Sequence, residues 1–347
     1  MIPQDKSSIL IIYTGGTIGM REDPSDMTLK PFDFSQIMEE VPELRKFACR
    51  IDSYTFDPLI DSSDVEPSLW QSIAGLIGER YDDYDGFVVL HGTDTMSFTA
   101  SALSFMLDDL EKPVVLTGSQ LPIGRPRTDG KENLVSAVEI ASAKDADGHA
   151  VVPEVCVYFD AKLLRGNRTT KVSSENFDAF RSPNLPPLAE AGISIKYDPR
   201  VICRPDSWGR PLQVLPALDT RVSILKIHPG ITPQVVSNIL LGAETRAVII
   251  ETYGSGNAIS KDWFINLLRV AGDMGKILVN VTQCLYGSVD MDIYATGRRL
   301  KDAGVVSGRD STTESMLAKL FHLMGASPDN AWVKSKLEEN LKGEISE

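Results

Sequence analysis

ILIIYTGGTIGM, residues 9–20, runs five apolar residues into a turn of two glycines flanked by two threonines. An unbroken apolar run of this length, rich in Ile, suits a strand covered on both faces, as strands of parallel sheets are. The pattern recurs. GFVVL at 86–90 runs into HGTDT, PVVL at 113–116 into TGSQ, and VCVYF at 155–159 towards RGNRTTK. Helical stretches lie between them, at 67–81, 97–110 and 132–143. Alternating strand and helix implies right-handed crossovers and an open, mostly parallel α/β sheet.

Near Ser182 the pattern changes. SPNLPPL is proline-rich, and residues 196–218 carry several prolines with little helical period, which suits a connection with a hairpin in it. Strand-plus-glycine-loop units then resume in VSILKIHPG (222–230), AVIIETYGSGN (247–257) and ILVNVTQCLYG (277–287). The expected organisation is therefore a larger N-terminal α/β domain at 1–195, a linker at 196–220 and a smaller C-terminal α/β domain at 221–347. In open parallel sheets ligands bind beyond the carboxyl ends of the strands. The four N-terminal motifs all follow strands, so they can converge on one rim despite their distance in sequence.

The chain has 347 residues, 42% of them hydrophobic and 24% charged, with a formal net charge of −13. That length suits two domains with sizeable cores. The negative field argues against nucleic-acid or anionic-membrane partners, while a local pocket can still take a small zwitterion. Four scattered cysteines without a CxxC pair fit free thiols in a reducing compartment. The opening MIPQDKSSILIIY lacks the features of a signal peptide or a spanning helix, and a cytoplasmic location is expected.

The glycine pair at 15 and 16 lets the backbone turn tightly and present amide N–H groups beside the Thr14 and Thr17 hydroxyls. Such a turn can hold a threonine nucleophile with oxyanion-stabilising amides, or cradle a phosphate, or simply reverse the chain. GxxxxGK[ST], a complete dinucleotide fingerprint, GxSxG and HExxH are all missing from the sequence. The histidines at 91, 149, 228 and 322 show no metal-ligand spacing. A hydrolase built from this chain must therefore activate its nucleophile without metal or histidine. Thr93 and Asp94 stand at a strand-to-helix turn, where either would also serve as an ordinary cap. Joined by Lys171 at the end of RGNRTTK, they would form a metal-free base system, because a desolvated lysine can deprotonate a hydroxyl while a carboxylate orients it.

TGGTIGM, DSSD, DGFVVLHGTDTM, TGSQ, RGNRTTK, FDAFRSPNLPPL and YGSGNA, in this order and spacing, resemble the bacterial type I (cytoplasmic) L-asparaginases over nearly the whole chain. The resemblance implies hydrolysis of L-asparagine to aspartate and ammonia, with no cofactor and no metal. It implies Thr17 as nucleophile, with Thr93, Asp94 and Lys171 as the second catalytic set. Asp61, Ser62 and Ser63 would bind substrate, Ser62 through its α-carboxylate, while Asp94 would hold the α-ammonium. Amides around Gly16, Gly92 and Thr93 would face the oxyanion. Two courses stay open: an acyl-enzyme on Thr17, or direct attack by water with Thr17 polarising.

Residues 20–31 would form a lid, but it lacks the tyrosine that many family members carry; Met27 or Leu29 stands near that place. Tyr294, in the YATG segment, is expected to replace it. Thr170, Asn257 and Cys284 match positions of an interface or allosteric site in some relatives. Glu251 stands where the enterobacterial pattern has an arginine and would repel a ligand carboxylate. A homodimer or homotetramer is expected. L-Glutamine is the nearest alternative substrate, a tRNA-dependent amidotransferase subunit is a further one, and a non-catalytic metabolite-binding protein stands outside the class.

Overall fold

The computed structural model describes residues 7–22, 29–31 and 37–346. The chain divides into two compact units, 1–216 and 217–347.

The first unit is built on an eight-stranded sheet. Its order is Ile195–Tyr197, Ala189–Ala191, Lys162–Arg165, Val155–Phe159, Val114–Thr117, Gly86–Leu90, Ser8–Tyr13 and Arg50–Thr55. The last five in that order are mutually parallel, and the first three continue the sheet antiparallel. The apolar runs are buried on both faces, as parallel strands require: Ile9, Ile11 and Tyr13 point into one core with Val88, Leu90 and Val115. Helix Gly130–Ser142 covers that face through Leu134, Ala137, Val138 and Ala141. Helices Pro67–Glu79 and Met96–Met106 pack on each other, and the second packs against strand Val155–Phe159. Ile195–Tyr197 falls in the stretch expected as connection and forms a hairpin with Ala189–Ala191.

The second unit has the parallel order Val222–Lys226, Ala247–Thr252, Ile277–Thr282 and Val306–Ser307. Its residues alternate between two cores. Val248, Ile250 and Leu278 meet Phe264, Ile265 and Leu268, whereas Ala247, Ile249 and Val279 meet Met316 and Leu320. No described helix is long and apolar enough to cross a membrane.

One glycine in this framework is replaceable. Gly75 lies inside helix Pro67–Glu79, and a Cβ there would meet nothing within 4 Å. Gly75→Ala is expected to stabilise the protein by about 0.5–1 kcal/mol, through helix propensity and a less flexible unfolded chain. A rise in the thermal unfolding midpoint is the check.

Candidate active site

The site is assembled by sheet register. Tyr13 pairs with Leu90 and Leu90 with Thr117, so the turns TGGT, HGTDT and TGSQ leave neighbouring parallel strands at one level. The Thr14 N–H and hydroxyl both donate to Leu90 O, at 3.1 and 3.0 Å, and the His91 N–H donates to Thr117 O at 2.9 Å. Strand Arg50–Thr55 continues into DSSD, where the Ile60 N–H donates to Thr14 O at 2.9 Å.

Two glycines let these turns touch. Gly16 has φ 91° and ψ 169°, and a Cβ on it would come within 2.6 Å of both Gly92 Cα and Gly92 N. A Cβ on Gly92 would fall 2.6 Å from the Ser62 Cβ. The strand-end turns therefore meet backbone to backbone, and Ser62 closes the third side. Gly16→Ala would impose both a strained backbone and a clash with main chain that cannot swing aside. A loss of about 2 kcal/mol or more is expected in thermal unfolding, opposite in sign to Gly75→Ala.

Thr17 opens a short 3-10 turn, Thr17–Gly19, immediately beyond Gly16 and is only partly buried. Beneath it the buried Tyr13 hydroxyl donates to Gly16 O at 3.4 Å, and burial holds that phenol well above its ordinary pKa, so it stays protonated. On the neighbouring turn, Lys171 Nζ lies 2.8 Å from Thr93 Oγ1 and 2.8 Å from Asp94 Oδ1. The lysine side chain is 17% exposed and the aspartate 63%, so the lysine is sheltered while the carboxylate faces solvent. Lys171 arrives on strand Thr170–Lys171, paired antiparallel with Phe180–Arg181. The preceding turn is anchored by the buried Arg165–Glu154 ion pair at 2.6 Å and by the Thr169 hydroxyl on Arg165 O at 2.7 Å.

Asp61 caps the 3-10 turn Ser62–Asp64, and the Ser63 backbone N–H and then its hydroxyl hold the carboxyl below its ordinary pKa. Ser62 is buried. Its hydroxyl accepts the Asp94 N–H at 3.4 Å, and its carbonyl takes the Thr95 hydroxyl at 2.6 Å. Thus Gly16, Ser62, Gly92, Thr93, Asp94 and Lys171 form one contiguous cluster, with Thr17 and Asp61 adjoining it in the chain.

His91 has no role assigned from sequence, yet it is central to this cluster. It is 1% exposed, with Nδ1 2.7 Å from Gly92 O and Nε2 2.9 Å from Thr99 Oγ1; Trp70 Nε1 donates to the same hydroxyl at 2.9 Å. Burial pushes its pKa down to about 4, so the ring is neutral at physiological pH.

The remaining candidates belong to the second unit or to other settings. Tyr294 is 52% exposed and precedes helix Ala295–Asp302. Asn257 Oδ1 accepts the Thr296 hydroxyl at 2.7 Å, and Cys284 is exposed after strand Ile277–Thr282. Glu251 is engaged by the Thr313 hydroxyl at 2.8 Å and Lys226 at 3.1 Å. Thr170 stands beside Lys171, facing Arg181 in the short ladder. The ends of the expected lid pair as Met20–Glu22 with Leu29–Pro31, whereas residues 23–28, Met27 among them, lie outside the described residues.

Hydroxyls, a lysine and a carboxylate gathered at the rim where open α/β proteins bind their ligands place this chain in the class of α/β proteins with a polar strand-end site. Residues 8–202 match the family described as Asparaginase, N-terminal, and residues 221–336 the Glutaminase/Asparaginase C-terminal domain. The chain belongs to this family of amidohydrolases, which bears out the expected family and two-unit α/β class. It is 44% identical to L-asparaginase 1 of Escherichia coli K12 over 345 residues, 98% of each chain. The crystal structure of L-asparaginase I from Vibrio cholerae matches with a TM-score of 0.88 at 40% identity, over 98% of this chain and 99% of that one. The thermostable L-asparaginase from Thermococcus kodakarensis matches at 0.87 and 32% identity, over 98% and 99%.

Proposed function

We propose that the chain is a cytoplasmic L-asparaginase that hydrolyses L-asparagine to L-aspartate and ammonia with Thr17 as nucleophile. The observation that carries the reading is the Lys171 bridge to Thr93 and Asp94, set on a turn that touches the Gly16–Thr17 turn directly. Thr17 Oγ1 attacks the side-chain amide carbon as its proton passes towards the Thr93–Lys171 pair. Collapse of the tetrahedral intermediate breaks the C–N bond, and that proton leaves with the nitrogen as ammonia. Water then attacks the ester, restoring the Thr17 hydroxyl and releasing aspartate. Amide N–H groups of the two glycine turns meet the developing oxyanion. Asp94, exposed and carboxylate-bearing, holds the substrate α-ammonium, and Ser62 the α-carboxylate.

The enzyme assembles as a symmetric homo-oligomer, a dimer or a dimer of dimers. The exposed Tyr253, Leu285, Tyr286 and Ile293 of the second unit support a surface that a second copy covers.

The test is ammonia release from L-asparagine and L-glutamine side by side. One methylene separates the two amides, worth about 1–3 kcal/mol in a fitted pocket, so kcat/KM should favour asparagine by roughly 10- to 200-fold. Equal turnover of both would replace this reading with a glutaminase-asparaginase. No release from either would end it.

A further inference from the structure

We infer that His91 is a positioning residue: by holding the Gly92 carbonyl, it locks the Gly92–Thr93 peptide plane so that the Thr93 N–H is presented to the reacting amide. The inference rests on the amide-hydrolysis reading above and extends it to a buried group which that mechanism does not use.

Donor counting fixes the tautomer. Gly92 O can only accept, so the His91 nitrogen 2.7 Å away, Nδ1, carries the hydrogen. The ring is neutral, so Nε2 can only accept, and the Thr99 hydroxyl 2.9 Å away donates to it. Trp70 Nε1, a donor only, uses a lone pair of that hydroxyl at 2.9 Å. The bonds therefore run in one direction, Trp70 to Thr99 to His91 to Gly92. They tie helices Pro67–Glu79 and Met96–Met106 to the turn. All three side chains are at least nine-tenths buried.

The consequence follows from peptide geometry. The Gly92–Thr93 bond is trans, so the Gly92 carbonyl and the Thr93 N–H share a rigid plane and point in opposite directions. With the carbonyl drawn inward onto His91, the N–H is aimed the other way. Among the described residues it has no hydrogen-bond partner, and Thr93 is only partly buried. A glycine at 92 has no side chain to resist peptide rotation, so the lock must come from outside the turn. A preorganised donor needs this, because a donor that must reorient during reaction loses its electrostatic advantage.

Two readouts test this on the full-length protein. Long-range ¹H–¹⁵N NMR should show His91 as the neutral Nδ1–H tautomer from pH 8 down to about 5. In kinetics, His91→Leu should lower kcat by about 10- to 100-fold with KM changed less than about threefold, as expected for a misaimed oxyanion donor. His91→Asn, whose amide can reach Gly92 O from the same branch point, should recover kcat to within about fivefold. Thr99→Val removes one link at a distance and should lower kcat with KM held, which keeps the inference testable if His91→Leu does not fold. An Nε2–H tautomer, a folded His91→Leu with unchanged kcat, or a kcat loss that Asn fails to recover would overturn the inference. A wild type that releases no ammonia would instead sink the underlying reaction, while the tautomer would still report on the lock.

Discussion

Thr17→Ala should abolish asparagine turnover, with kcat down by about 10³-fold or more, and leave the protein folded. Among the described residues the Thr17 hydroxyl makes no hydrogen bond, and the backbone work of this residue, its carbonyl accepting the Met20 N–H, survives in alanine. Only the hydroxyl proposed to react and a methyl are lost. Lys171→Met should behave alike for a different reason. Its stem is kept, and the Lys171–Asp94 pair is largely exposed on the carboxylate side. Such a pair contributes about 0–1 kcal/mol to stability, so the unfolding midpoint should move by only a few degrees. The base proposed to receive the proton through Thr93 is gone, however, and general-base loss is worth about 10²- to 10⁴-fold in rate. Thermal unfolding and ammonia release on both variants separate these effects. If Lys171→Met kept kcat within threefold of wild type, the Thr93–Lys171 relay would be wrong even with Thr17 established as nucleophile.

The strand-end turns that carry Thr17, Thr93 and Asp94 were legible in the sequence because their signals are local, whereas the roles proposed for these residues came from the family resemblance. A continuous apolar run ending in Thr-Gly-Gly-Thr or His-Gly-Thr-Asp states both a buried parallel strand and a turn at its carboxyl end, and the sheet places those turns side by side. Contacts across turns were not legible. Nothing in DSSD announces that Ser62 packs on Gly92, because that contact depends on where the chain goes after strand Arg50–Thr55. His91 was hidden for a related reason. As one of four scattered histidines it fits no ligand spacing, and its partners Thr99 and Trp70 come from two helices that meet only in the folded unit. Tyr13 looked like the last residue of an apolar run, and only the turn above gives its hydroxyl a partner in Gly16 O. The antiparallel continuation through Ala189–Ala191 and Ile195–Tyr197 was obscured by the prolines before it. Strands of three residues carry too little pattern to stand out there.

The same limit applies to the second large effect, which lies far from the site. Lys319 and Glu344 are both fully buried, 2.6 Å apart, and tie the C-terminal segment to helix Thr313–Ala326. Lys319 Nζ also donates to Leu337 O at 3.0 Å and Glu339 O at 2.6 Å, while the Glu344 carboxylate accepts the Leu341 and Lys342 N–H groups at 3.1 and 2.7 Å. Removing one partner leaves a buried charge without its counter-ion, at a cost of about 3–5 kcal/mol. Lys319→Met and Glu344→Leu should therefore each lower the unfolding midpoint of the second unit by roughly 10 °C or more. The double variant Lys319→Met/Glu344→Leu should recover part of the loss, because no lone charge remains. It should not recover all of it, since two carbonyls and two N–H groups of the backbone lose their partners. A double-mutant cycle by calorimetry reads the coupling directly. Strict additivity of the single losses would mean that the two ions do not stabilise each other, and that the segment is held by its apolar contacts instead, Leu337 among them.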